Sequence, residues 1–235
     1  MLQKNKIQQL LQDNRTYPRQ YCSNIAAQEA TIWLYDVIGE SAWGGIGAAQ
    51  FVKDLAAISA PVIHLRINSP GGDVFDARAM VTAIKQHPAQ IITHIDGLAA
   101  SAASYIALAG DAVEMSDGAF LMIHNSWGLV IGNRHDLLDM AATLEKIDAS
   151  ILADYHEKTG NDKAQIADWM DRETWFTAQE ALDARFVDRL AVSEEKQAQQ
   201  RWDVSAYVHP PDAFTRTDYG LYDRLRRVEV IEKAN

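Results

Sequence analysis

The chain has 235 residues, 48% of them apolar, and a formal net charge of −10 at pH 7. That is enough apolar material for one large domain with a buried core. The acidic balance argues against nucleic acid and anionic membrane surfaces as partners, since both are bound through clustered Lys and Arg. A single cysteine, Cys22, excludes an internal disulfide and a cysteine-based zinc cluster, and suits a reducing cytoplasm.

The opening MLQKNKIQQLLQDNR carries charges and glutamines where a signal peptide needs an apolar run. No stretch reaches the ~20 apolar residues of a membrane span, so a soluble cytoplasmic protein is expected. Residues 1–28 read as a polar extension with a short helix and a loop at Pro18. Thr31 to Ile38 is β-branched and aromatic, hence a strand. Apolar residues at helical spacing predict a helix over 46–58, ended by Pro61; VIHLRI (62–67) is a buried strand. After NSPGG, a helix runs from about Val74 to Gln86 and stops before Pro88.

QIITHI (90–95) is the next strand, and GLAAS leads into a small-residue helix from Ser101 to Ala109. Short strands near 112–115 and 119–123 precede His124. A long helix of about 134–158 follows, with Leu137, Leu144, Ile147, Ile151 and Tyr155 forming one apolar stripe and Gly160 closing it. Short helices over 162–170 and 177–184 lead to a last strand in RFVDRL. Strands alternating with helices give an α/β domain over 29–190. Residues 191–235, charged and carrying Pro210-Pro211, read as a tail or partner-binding appendage.

Three segments carry the chemistry. Ser101 lies at a strand-to-helix junction among Gly and Ala, where a carbonyl can approach its hydroxyl and helix N–H groups can receive an oxyanion; a serine merely capping a tightly packed helix fits the same residues. Gly71-Gly72 after a strand can turn backbone N–H groups toward a ligand, or simply make a tight turn. His124 ends an apolar run beside a glycine-containing turn, placed like a base, although a lone histidine is often structural. A serine hydroxyl needs a base, and the base needs a carboxylate; candidates lie in MDRETWF, namely Asp171 and Glu173.

INSPGGDVFDARAM, DGLAASAASYIALAG, FLMIHNSWG and DRETWFTAQEALDARFVDRL together resemble the proteolytic subunit of the Clp protease, in family order and at similar spacing. The resemblance implies a ClpP/crotonase-like spiral of ββα units with a long helix after the catalytic histidine. It places Ser101 on the nucleophile, His124 on the base and the N–H groups of Gly72 and Ala102 on the oxyanion hole. Ungapped alignment puts Glu173 on the family's aspartate, with Asp171 the runner-up. The implied activity is that of a serine endopeptidase without metal or organic cofactor, assembled as a homo-oligomeric ring.

Both ends depart from the housekeeping enzyme, and the whole chain looks more similar to head maturation proteases of tailed phages and prophages. That likeness implies a scaffold or capsid-precursor substrate, cleaved without ATP or an ATPase partner, in the host cytoplasm or an assembling prohead. The rival readings are an inactive shell or scaffold-binding protein on the same fold, an acyl-CoA hydratase or isomerase, and a Ser/Lys signal-peptide peptidase. The last is disfavoured because no lysine occurs in 86–145.

Overall fold

In the computed structural model, residues 9–10, 12, 14, 20–40, 45–191 and 202–211 are described. Their strands form one sheet, with order β1 (Gln20–Ile25), β2 (Glu29–Tyr35), β3 (Val62–Ser69), β4 (Gln90–Ala100), β5 (Ala112–Ser116), β8 (Arg189–Ala191). The β1–β2 pair is antiparallel and every later pair on this path is parallel. Parallel neighbours need crossovers. Helices α1 (Ala48–Ala56) and α2 (Val74–Gln86) supply two of them, burying Phe51 and Leu55 from one and Ala77, Met80, Val81 and Ile84 from the other.

The strand expected at 62–67 is buried on one face only. Ile63, Leu65 and Ile67 enter the core, while His64 and Arg66 face a polar row along the sheet. In that row His64 Nδ1 lies 2.9 Å from His94 Nε2, and Arg66 forks onto Asp96 at 2.9 and 2.6 Å. Burial holds His94 in its neutral form, its pKa lowered to about 4. β1 falls inside the stretch read as a polar extension. It is an edge strand with mostly exposed side chains, so no apolar alternation betrays it.

The longest strand, β4, runs five residues past the predicted strand end at 95 and serves two partners. Its first half pairs with β5, and its last residues pair in parallel with β6 (Phe120–Ile123), which in turn pairs antiparallel with β7 (Thr174–Thr177). This bifurcation opens the far end of the sheet, where α3 (Ala102–Ala107) starts. The long helix α4 (Arg134–Thr159) has a reciprocal Asn133–Asp136 capping box at its start. It ends at Gly160, whose φ of 66° is the left-handed conformation expected there. Helices α5 (Lys163–Asp171) and α6 (Ala178–Asp183) flank β7. Among the described residues, no helix is long and apolar enough to cross a membrane.

Residues 202–211, read from sequence as part of a tail, pack on the sheet. Trp202, Val204 and Tyr207 are buried with Leu10, Val37, Leu98, Ala100 and Met122 in a second apolar cluster. The Asn14 side chain ties the residues before β1 to the 202–211 segment. Its amide donates to the Asp203 carbonyl at 2.9 Å, and its oxygen accepts the Asp203 N–H at 2.7 Å.

Candidate active site

Strand register alone brings the candidate side chains together. Ala100 pairs with Met122 across β4 and β6, so the next residue, Ser101, leaves β4 beside the end of β6. Ile123 pairs with Thr174 across β6 and β7, so the next pair outward in an antiparallel ladder is His124 opposite Glu173. Three strand ends therefore deliver a hydroxyl, an imidazole and a carboxylate to one place. The Ser101 Oγ lies 2.7 Å from Nε2 of His124, and Nδ1 of His124 lies 4.0 Å from Oε2 of Glu173. The His124 and Glu173 side chains are only 8% and 6% exposed, so water screens the pair weakly.

Both Ser101 and Glu173 sit at positive φ, 54° and 52°. A non-glycine residue there costs on the order of 1–3 kcal/mol and persists only where its surroundings enforce it. For Ser101 the enforcement is a backbone N–H donated to the Met122 carbonyl at 2.9 Å and a carbonyl that accepts both the N–H and the hydroxyl of Ser104, at 2.9 and 2.6 Å. The Ser104 hydroxyl also meets the Tyr155 hydroxyl at 2.8 Å, tying the serine turn to α4.

Asp171, the other carboxylate singled out in the sequence, is exposed and accepts the Asn125 side-chain amide at 2.7 Å. The structure brings Glu173, not Asp171, beside His124.

Gly71 and Gly72 line the opposite wall. Gly71 comes so close that a Cβ there would lie 2.8 Å from the Ser101 Cβ and 3.1 Å from the Ala102 nitrogen. The Ile38 N–H donates to the Gly71 carbonyl and the Asp73 N–H donates to the Ile38 carbonyl, both at 2.9 Å. In such a parallel bridge the intervening residue, Gly72, turns its own N–H away from Ile38. Ala102 is the first residue of α3, where a helix N–H has no intrahelical acceptor. Gly72 and Ala102 line the same cavity as Ser101 and His124.

Gly72 has φ 151°, and an added Cβ would lie 1.9 Å from the Ile38 carbonyl oxygen. Gly72→Ala must therefore push the loop off Ile38. Its kcat on a peptide should fall by at least about 10²-fold, the loss expected for one oxyanion donor, with a lowered melting temperature. Unchanged kcat would remove Gly72 from the chemistry.

The cavity holds about 280 Å³ and extends from Ser101 along α4. Phe75, Met140, Leu144, Ile147 and Ile151 give it an apolar wall. The apolar stripe of the long helix divides: Ile151 and Tyr155 are buried, Leu144 and Ile147 line the cavity, and Leu137 is exposed.

Sequence reading missed the contribution of residues 202–209. The Val208 and His209 N–H groups donate to Glu173 Oε2 and Oε1 at 3.0 and 2.6 Å. The Tyr207 ring stands edge-on to the His124 imidazole, centroids 5.4 Å apart, and its hydroxyl donates to the Pro70 carbonyl. Burial pushes that hydroxyl far above the usual phenol range, with hydrogen bonding to the Ser101 side chain acting the other way. The available signal was WDVSAYV, two large aromatics in an otherwise polar stretch.

A family model described as Clp protease matches residues 21–194. ATP-dependent Clp protease proteolytic subunit 1 of Leifsonia xyli subsp. xyli is 30% identical over 168 residues, covering 71% of this chain and 85% of the relative. The protein of the same description from Protochlamydia amoebophila is 30% identical over 169 residues, covering 70% and 82%. A ClpP1 variant from Listeria monocytogenes superimposes with a TM-score of 0.62 at 24% identity, covering 70% of this chain and 92% of that one, which establishes the shared fold. With the matched segment holding the Gly-Gly loop, Ser101, His124 and Glu173, the chain belongs to the Clp protease family, whose members are serine endopeptidases.

Proposed function

We propose that this chain hydrolyses polypeptides by acyl transfer through Ser101, with His124 as general base and Glu173 as its carboxylate. The observation that carries the reading is the 2.7 Å contact between Ser101 Oγ and His124 Nε2. His124 takes the hydroxyl proton as Oγ attacks the scissile carbonyl. The Gly72 and Ala102 N–H groups receive the oxyanion, and Glu173 stabilises the imidazolium. The imidazolium then protonates the leaving amine, and water resolves the acyl-enzyme. Every group used is a side chain or a backbone amide of this chain. The apolar wall of the cavity suits an apolar side chain next to the scissile bond.

Self-association into rings is supported by exposed apolar side chains clustered around the start of α4: Leu129, Ile131, Leu137 and Leu138, with Ile131 80% exposed. For the substrate, we infer a scaffold or capsid precursor cleaved without ATP. The support is that the chain departs from the matched family region at both ends, before residue 21 and after 194. The relatives named above are ATP-dependent.

Incubation with a fluorophosphonate probe is expected to modify Ser101 alone, as read by peptide mapping. Incubation with a scaffold or capsid precursor in nucleotide-free buffer is expected to give discrete products by mass spectrometry. An unlabelled Ser101 would favour an inactive scaffold-binding protein. Cleavage seen only with an ATPase and ATP would place the chain in the ATP-dependent mode of its relatives.

A further inference from the structure

Residues 202–211 lie beyond the stretch matched to the family, yet they reach two sides of the site. The Trp202 indole N–H donates to the Asn68 carbonyl at 3.0 Å, and the Tyr207 hydroxyl to that of Pro70, so the segment grips the loop leading into Gly71-Gly72. One and two residues after Tyr207, its backbone amides hold Glu173, one on each carboxylate oxygen.

We propose that residues 202–209 are a positioning element of the catalytic centre, in which the Val208 and His209 amides fix the Glu173 carboxylate toward His124. The proposal rests on the reading of Ser101, His124 and Glu173 given above. A glutamate side chain has three rotatable bonds, and freezing it opposes any fixed geometry. His124 does little of that freezing, because its Nδ1 is 4.0 Å from Oε2, beyond hydrogen-bond length. The Trp175 indole N–H adds only a long contact to Oε1 at 3.4 Å, so the two shorter charge-assisted bonds to different oxygens set both the plane and the direction of the carboxylate. Oε2 keeps lone-pair capacity for an Nδ1–H once positive charge develops on the ring. By anchoring at Asn68 and Pro70 as well, the same segment ties the acid to the loop that carries Gly72.

Both side chains point to solvent, with Val208 63% exposed, so substitution there tests the amide rather than the core. In the 235-residue chain, Val208→Pro removes the donor to Oε2, whereas Val208→Ala keeps it. Val208→Pro should lower kcat about ten-fold or more, since the bond is to a charged group, and leave KM within about two-fold. Val208→Ala should behave as wild type. In a Glu173→Ala background, Val208→Pro should cost nothing further, because its effect acts through the missing carboxylate.

Wild-type kcat in a folded Val208→Pro variant, or the same loss in both backgrounds, overturns the proposal. A raised kcat overturns it too, and would make the segment an inhibitory strap. If Val208→Pro does not fold, the pair His209→Pro and His209→Ala puts the same question to Oε1. Failure of the underlying reading is distinguishable: hydrolysis surviving Ser101→Ala removes the triad itself, whatever residue 208 does.

Discussion

Ser101→Ala is expected to lower kcat on a peptide substrate by on the order of 10⁵- to 10⁶-fold while the melting temperature stays at the wild-type value. The rate loss follows from the chemistry: without Oγ there is no acyl-enzyme, and the oxyanion donors and substrate binding alone support only residual turnover. The unchanged stability follows from the local geometry. Every contact that holds Ser101 at φ 54° is made by its backbone, through Met122 and Ser104, and alanine keeps all of them. What disappears at this partly exposed position is the side-chain hydrogen bond to His124 and the hydroxyl's contact with Tyr207, whose own hydroxyl keeps the Pro70 carbonyl. Steady-state kinetics on a fluorogenic peptide and a thermal melt on the same preparation check both halves. A folded variant that still turned over would transfer the nucleophile elsewhere.

Segments whose periodicity is set by a single core face were legible in the sequence. The helix predicted over 74–86 is Val74–Gln86, because Asp73 caps its start through Phe75 and Asp76 while Pro88 limits its end. The long helix is likewise fixed by Asn133 and Gly160. Ser101 and His124 were legible because small residues before one and an apolar strand before the other are what a crowded strand end requires.

Pattern gave no guide in three places, each for its own reason. β1 is an edge strand with almost no buried face, so its sequence carries no alternation. β7 is four residues long and, among the described residues, pairs with β6 alone. Residues 202–209 reach the site by contacts 134 to 137 positions away along the chain, such as Trp202 to Asn68 and Tyr207 to Pro70. No local periodicity encodes such distances. Their donors to Glu173 are backbone amides, which every residue except proline possesses, so residue identity could not announce them.

The choice between Glu173 and Asp171 was open in the sequence and has consequences of very different size. Glu173→Gln is expected to lower kcat by about 10³- to 10⁴-fold, as loss of the carboxylate in a serine–histidine pair does elsewhere. Asp171→Ala should stay within about two-fold of wild type, as a surface substitution. The carboxamide is nearly isosteric, so the fold should persist, but its NH₂ must face either the Val208 N–H and the imidazole or the His209 and Trp175 N–H groups. At least one contact then sets donor against donor.

The charge itself is also lost. At 4.0 Å between side chains 8% and 6% exposed, a carboxylate beside an imidazolium contributes on the order of 4 kcal/mol at an effective dielectric constant near 20. That attraction exists only after His124 has accepted the serine proton, so its removal should appear in kcat and spare KM. Asp171, the exposed last residue of α5, is engaged with Asn125 and has no such route to the reacting atoms. If Asp171→Ala cost as much as Glu173→Gln, the acid would have to be reached through a rearrangement of residues 171–174, and the strand register that sets His124 opposite Glu173 would no longer describe the working enzyme.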